Sequence, residues 1–140
     1  MDGIVVFNGL GNQMSQYAFY LAKKELNPKN TICFFYDSNQ HNGFELNRVF
    51  GIDLHQTARE LKYKKLFNFL YNKNICCKII RKLLHYLFLV RFYYEDMKTY
   101  DYNEKKLKRV KGVINFYMGG WHSYLYCESV HDKLKEIFLF

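Results

Sequence analysis

Proline and cysteine are both scarce in this sequence. It has one proline and four cysteines in 140 residues, so a proline-rich linker is excluded. The cysteines form no C-x-x-C pair, and the adjacent Cys76 and Cys77 have poor geometry for a shared metal ion or a mutual disulfide. This spacing argues against a zinc site and against a disulfide framework, and it predicts reduced thiols in a cytosol.

Long apolar runs are also missing. The longest uncharged apolar stretch near the middle covers residues 83–90 and is interrupted by His85 and Tyr86, whereas a spanning helix needs about 20 apolar residues. No basic region with a long apolar run precedes the first apolar segment at Ile4, as a signal peptide would require. The expectation is a cytoplasmic chain that does not span a membrane.

Acidic residues are few beside the basic ones. The chain has 21 Lys and Arg against 13 Asp and Glu, a net charge of +8, and 14 of the basic residues lie in residues 62–111. Such a surface fits a solvated lysine-rich face, nucleic acid, anionic lipid or a nucleotide-sugar. A basic nucleic-acid-binding module needs exposed aromatics, but the aromatics here occupy core-like positions, so no nucleic-acid partner is expected. Peripheral contact of residues 62–111 with the anionic inner face of a membrane stays open.

What is present is a pattern of buried strands and amphipathic helices. Short apolar runs predict strands at residues 4–7, 31–36 and 113–118. Met14, Tyr17, Ala18 and Leu21 share one helical face, so the first two strands and this helix form a β-α-β unit. The prediction is an α/β fold in one domain, residues 1–140, with a Rossmann-like parallel sheet flanked by helices.

Residues 58–94 predict two helices, broken near the run Asn72-Lys73-Asn74. Apolar residues recur on one face of each, and Lys and Arg occupy much of the remainder. Residues 95–112 are charged and are expected to be rich in loops.

A glycine-containing turn, Asn8-Gly9-Leu10-Gly11-Asn12-Gln13, connects the first strand to the first helix. A dinucleotide fingerprint would need a third glycine, and a Walker A loop would end in Gly-Lys-Ser/Thr. Neither is present, which disfavours the alternative of a small nucleotide-binding Rossmann protein. The amides of Asn12 and Gln13 offer several donors and acceptors beside helix-start N–H groups, a combination that suits a polyhydroxylated or phosphorylated ligand.

Three polar clusters follow the predicted strands, at residues 8–13, 37–40 and 119–123. Ligands of open parallel sheets bind beyond the carboxyl ends of the strands, so the clusters define one candidate site. Trp121 suits stacking on a sugar, and His122 suits hydrogen bonding to it. A core position for Trp121 and an ordinary surface position for His122 are the alternatives. No catalytic residue and no metal ligand is assigned. The candidate substrate-binding residues are Asn8, Gly9, Gly11, Asn12, Gln13, Asp37, Trp121, His122 and Ser123.

Three segments together resemble a known family. The first is Gly9-Leu10-Gly11-Asn12-Gln13-Met14-Ser15-Gln16-Tyr17-Ala18, the second is Phe44-Glu45-Leu46 with Phe50-Gly51-Ile52, and the third is Phe116-Tyr117-Met118-Gly119-Gly120-Trp121-His122-Ser123. In this order they resemble the G-N-Q-M-x-Q-Y-A, Y-E-L…F-x-I and G-Y-W-Q-S segments of the α-1,2-fucosyltransferases. The chain departs from that pattern at Ser15, Gly120 and His122, where the family usually has Phe, Tyr and Gln.

The resemblance implies a bacterial-type glycosyltransferase that moves L-fucose from the donor GDP-fucose to the 2-hydroxyl of galactose in a surface glycan. It also implies inversion at the anomeric centre, no cofactor or metal, and a GT-B-like fold of two Rossmann-type domains. The family's H-x-R-R-x-D motif, expected to hold the GDP phosphates, does not occur in the sequence. The chain is therefore interpreted as the N-terminal half of such an enzyme, without its donor-binding domain and inactive by itself.

Overall fold

The computed structural model describes residues 1–39, 41–54, 57–108 and 112–139. Gln40, the last residue of the second polar cluster, lies outside them. The elements in chain order are β1 (Asp2–Val6), α1 (Leu10–Leu26), β2 (Thr31–Phe35), α2 (Glu45–Phe50), α3 (Ala58–Tyr71), α4 (Ile75–Tyr86), β3 (Val90–Tyr94), α5 (Glu104–Lys108), β4 (Ile114–Met118), two short 3₁₀ helices (Tyr124–Tyr126 and Glu128–Val130) and α6 (His131–Phe138).

The four strands form one parallel sheet in the order β2-β1-β4-β3. The central strand β1 pairs with both neighbours, and Ile4 lies opposite Cys33 of β2 and Tyr117 of β4. All five residues of β1 are buried, as expected for a parallel strand covered on both faces. The predicted Rossmann-like α/β fold with a parallel β1–β2 pair is confirmed.

Helices cover both faces of the sheet. Alternation along β1 sends Ile4 and Val6 to one core, where α1, α2, α5 and α6 pack, and Val5 to the other, where α3 and α4 pack. The second core centres on Phe67 of α3, which is fully buried beside Phe116 of β4. The result is a three-layer arrangement that leaves the loops at the strand ends uncovered by helices.

The helical prediction for residues 58–94 is right for α3 and α4 and wrong for β3. Asn74 accepts a hydrogen bond from the Cys76 N–H and so caps α4 after the predicted break. The chain then leaves the helix at Phe88, which has a φ of 58°, and Val90–Tyr94 pairs with β4 as an edge strand. Pairing with β4 overrides the helical spacing of Val90–Tyr94. Because β4 lies more than twenty residues further along the chain, the local sequence does not indicate this pairing.

A buried ion pair fixes α1 at the amino-terminal edge of the sheet. The Lys23 ammonium lies 3.5 Å from the Asp2 carboxylate, and both side chains are 2% exposed. Lys23 also donates to the carbonyls of Lys106 and Leu107 in α5. Desolvation lowers the pKa of Lys23, and the charge of Asp2 opposes that shift.

Within the described ranges, no helix is both long and apolar enough to cross a membrane.

Candidate functional site

The carboxyl ends of β2, β1 and β4 lie side by side. The Tyr36 N–H donates to the Val6 carbonyl at 2.8 Å, which places the end of β2 against the end of β1. Strand order then places the end of β4 on the other side of β1. The three predicted polar clusters therefore follow neighbouring strands, at the edge where open parallel sheets bind ligands.

The turn after β1 leaves open space at its two glycines. Asn8 takes a φ of 66°, a conformation that asparagine tolerates well. Gly9 precedes α1 as its N-cap, and the described atom within 4 Å of a Cβ there is the His41 Nδ1, at 3.7 Å. Around Gly11, in the first turn of α1, a Cβ would find no described atom within 4 Å. Among the described residues, neither glycine is therefore required for packing, and none of their atoms fills the space beside Gly11.

Gln13 is buried, contrary to the expectation that its side chain lines an open cleft. It is 0% exposed. Its Nε2 donates to the carbonyls of Asn8 and Gly43, and its Oε1 accepts from the N–H groups of Glu45 and Leu46. These four bonds use the full capacity of the amide, so Gln13 joins the β1–α1 turn to the start of α2.

Gln16 has the same role one helical turn later, and sequence reasoning did not assign it. Its Oε1 accepts from the Phe7 N–H at 2.9 Å, and its Nε2 donates to the Gly119 carbonyl at 2.9 Å. It is 1% exposed. The three-residue spacing from Gln13 is the signal that was available, because residues three apart share a helical face.

Asn12 differs from both glutamines. Its side chain is half-buried, and no hydrogen bond to it occurs within the described part of the chain. Of the two adjacent amides, Asn12 is the one that remains available to a ligand.

The loop after β4 is built around a carboxylate that the sequence did not reveal. Glu95, which follows β3 and is 4% exposed, accepts hydrogen bonds from the N–H groups of Trp121 and His122. Gly119 is needed here, since a Cβ would lie 2.6 Å from the Cβ of Glu95. Because each of its oxygens accepts one backbone N–H of this loop, Glu95 positions the loop after β4.

Trp121 is in the core and not on the sugar-binding surface that the sequence predicted for it. Its ring is 2% exposed and stacks on Phe19 at a centroid distance of 4.4 Å. A φ of 54° turns the backbone at this residue. Phe19 of α1 thus occupies the stacking position that was predicted for a sugar.

His122 and Ser123 are more accessible. The His122 side chain is exposed, and its ring meets the edge of Tyr100 at 5.6 Å. The imidazole lies over Gly120, where a Cβ would be 2.1 Å from its Nε2. Ser123 is half-buried, and its carbonyl accepts from the Tyr126 N–H to begin the first 3₁₀ helix.

A cleft of about 540 Å³ opens after β2, between that strand end and the second half of α3. The predicted site residue Asp37 lines it. The Oδ1 of Asp37 accepts from the Asn39 N–H at 2.8 Å, while no described residue hydrogen-bonds to its Oδ2. The other lining residues were not predicted, because they lie far from the motif segments: Tyr36, Lys64, Asn68, Tyr71, Asn72 and Lys73.

The lining of this cleft combines the groups that bind a charged or hydroxyl-rich ligand. Lys64 and Lys73 have no carboxylate within ion-pair distance among the described residues, so both ammonium groups are available to an anion. Asn68, Asn72 and Asp37 offer donors and acceptors to hydroxyl groups. Within the same part of the chain, no three His, Cys, Asp or Glu residues lie close enough together to hold a metal ion.

The structure therefore brings Asn8, Gly9, Gly11, Asn12 and Asp37 to one open edge beside a cationic cleft. His122 and Ser123 lie at the end of the adjacent strand β4, and Gln13 and Trp121 are buried beneath this edge. No family model, no curated protein and no solved structure matches this chain.

Proposed function

We propose that this chain is a glycosyltransferase module related to the galactoside α-1,2-fucosyltransferases, with a GT-B-like use of its Rossmann-like sheet. The proposed reaction moves L-fucose from GDP-fucose to the 2-hydroxyl of a galactose unit in an acceptor glycan. One observation carries the proposal: the three segments on which the resemblance rests are joined to one another by two buried side chains.

Those side chains are Gln13 and Gln16, both in the first segment. Gln13 accepts hydrogen bonds from the N–H groups of Glu45 and Leu46 in the second segment. Gln16 donates to the carbonyl of Gly119 in the third. If the three segments resembled the family by chance, there would be no reason for the two glutamines of the first segment to bond to the other two. The contacts between the segments therefore support the resemblance.

The open edge also suits the chemistry of fucosyl transfer. The acceptor hydroxyl must lose a proton and the departing pyrophosphate charge must be stabilised. Asp37 has an oxygen without a described partner, and we propose that it accepts a hydrogen bond from the acceptor sugar in the cleft. Lys64 and Lys73 line the same cleft and would attract the anionic part of the donor.

The sequence contains no H-x-R-R-x-D run, and exposed helix-start N–H groups contribute only about 0.3–1 kcal/mol each to anion binding. Glycosyl transfer requires far more barrier lowering than this. We therefore propose that these 140 residues bind the substrates weakly and do not turn them over by themselves.

Ligand-observed saturation-transfer NMR tests the proposal. The chain is expected to transfer magnetisation to a β-galactoside and to GDP-fucose, and less to the matched β-glucoside. Asp37→Asn should reduce the galactoside signal. The control Asp132→Asn removes an exposed carboxylate on α6, which packs on the opposite face of the sheet, and should leave the signal unchanged.

Two results would contradict the proposal. The absence of a signal from both the galactoside and GDP-fucose would remove the glycosyltransferase assignment. Release of GDP by the chain alone, dependent on a galactoside acceptor, would keep the activity and overturn the proposal that these 140 residues do not turn the substrates over by themselves.

A further inference from the structure

We propose that helix α4 docks this protein onto an anionic lipid surface. The proposal does not depend on the glycosyltransferase assignment. It concerns the α3–α4 hairpin, defined as residues 57–89, and it rests on an exposed apolar helix face and on the charge that surrounds it.

The apolar face of α4 is largely unpartnered. Ile75, Ile79, Leu83 and Tyr86 recur at helical spacing along one side of the helix, and they are 72%, 60%, 55% and 79% exposed. Cys77 is the one buried residue of α4. A helix that packs only against its own protein places its apolar stripe inward, whereas most of this stripe faces away from the sheet.

The exposed apolar surface continues beyond the end of the helix. Leu87, Phe88 and Leu89 are 51%, 57% and 42% exposed. Phe88 holds a φ of 58°, which is costly for a bulky residue. Exposed apolar side chains that cluster on a protein are typical of an interaction site.

Charge identifies the occupant as an anionic surface. The α3–α4 hairpin contains eight Lys and Arg and a single carboxylate, Glu60, so it carries most of the chain's net charge of +8. Lys78 and Lys82 lie on α4 itself and are exposed. Their aliphatic stems can follow an apolar surface while the ammonium groups reach lipid phosphates.

The combination of both features favours lipid over the other anionic or apolar partners. Nucleic acid matches the charge but offers no apolar phase to a row of Ile and Leu side chains. A second copy of this chain matches the apolar face but brings two strongly basic hairpins together, which costs free energy. At 12 residues, α4 is too short to span a bilayer, so it lies in the plane of the interface, as basic amphipathic helices do.

Vesicle co-sedimentation tests this inference with the full chain. Binding is expected with vesicles of phosphatidylcholine and phosphatidylglycerol, and it should weaken strongly with phosphatidylcholine alone or at high salt. In the double variant Ile79→Ser/Leu83→Ser, the partition coefficient should fall by about tenfold or more. Both side chains are more than half exposed, so the fold is retained, and far-UV circular dichroism verifies this.

The matched control is Leu26→Ser/Val49→Ser, which removes two apolar side chains outside the hairpin. Leu26 and Val49 are 55% and 49% exposed, similar to Ile79 and Leu83. This variant should bind vesicles as the parent protein does. A second readout is Tyr86→Trp, whose emission should shift to the blue on anionic vesicles and be quenched by brominated lipid.

Three results would overturn the inference. The first is unchanged vesicle binding by the Ile79/Leu83 variant. The second is that the parent protein binds double-stranded DNA tightly but does not bind vesicles, and that the Ile79/Leu83 variant retains the DNA binding. The third is a concentration-dependent dimer that this variant dissociates, again without vesicle binding, which would make the face a contact between copies.

Discussion

Replacing Gln13 tests how the candidate site is held together. The substitution Gln13→Leu keeps a side chain of similar volume and similar helix propensity. It removes two acceptor contacts to buried N–H groups, those of Glu45 and Leu46. It also removes two donor contacts to the partly buried carbonyls of Asn8 and Gly43.

The expected loss follows from the groups left behind. A buried N–H without a partner costs about 1–3 kcal/mol, so the two N–H groups together should lower the free energy of unfolding by about 2–6 kcal/mol. The partly buried carbonyls can turn to water and add less. Because a domain of this size has roughly 5–15 kcal/mol of stability, Gln13→Leu is expected to be strongly destabilised or to fail to fold.

Gln13→Glu keeps the prediction measurable if the leucine variant does not fold. One carboxyl oxygen still accepts from the two N–H groups, while the other faces the carbonyls of Asn8 and Gly43 and cannot donate when ionised. Desolvation raises the pKa of such a buried carboxyl. A folded pKa above the unfolded value makes the protein more stable at low pH, so the deficit should shrink as the pH falls through the folded pKa.

Urea unfolding followed by far-UV circular dichroism measures these changes. The control Asn12→Leu alters the neighbouring amide, which has no described hydrogen bond, and should shift the free energy of unfolding by less than about 0.5 kcal/mol. A loss below about 1 kcal/mol for Gln13→Leu, or a deficit of Gln13→Glu that does not change with pH, would refute the role assigned to this amide.

Three further predictions address the site and its surroundings. Gly11→Ala should stabilise α1 by up to about 1 kcal/mol yet weaken the proposed galactoside or GDP-fucose binding, because the methyl group would occupy open space beside the helix start. Unchanged binding by NMR would contradict this. Gly119→Ala should cost about 1–3 kcal/mol in urea unfolding, since its Cβ meets Glu95, whereas Gly120→Ala displaces only an exposed imidazole and should cost much less. Burial raises the pKa of Tyr117 above its ordinary value of 10.0. The free energy of unfolding should therefore fall as the pH rises above about 10, and it should fall less steeply with pH in Tyr117→Phe. The same pH dependence in both proteins would exclude this tyrosine as the cause.

Much of the sheet was predictable from local pattern. The apolar runs at β1, β2 and β4 are bounded by turn residues, and the β1-α1-β2 connection is short enough to imply parallel pairing. β3 was not predictable in this way. Its residues, Val90–Tyr94, follow α4 without a proline or glycine between them. The turn is made at Phe88, which has a positive φ, and phenylalanine is not a residue type from which such a turn is predicted.

The candidate site was predictable as a location but not in the role of each residue. The strand pattern predicted that the three polar clusters share one edge of the sheet, and the parallel strand order places them there, since parallel strands have their carboxyl ends at the same edge. Spacing alone could not show that Phe19 covers Trp121 or that Glu95 holds the loop after β4. Both depend on contacts between segments distant in sequence.

The adjacent amides at the start of α1 show why residue type and location are not sufficient. Consecutive helical side chains differ in direction by about 100°, so Asn12 and Gln13 have different surroundings. The fold uses Gln13 for four internal hydrogen bonds and leaves the Asn12 amide without one among the described residues. At this turn, the groups left for a ligand are the Asn12 amide and the space beside Gly11. On the proposed function, Asn12→Ala should weaken the saturation-transfer signal from the galactoside or GDP-fucose while the free energy of unfolding stays unchanged, and an unchanged signal would assign this turn a purely structural role.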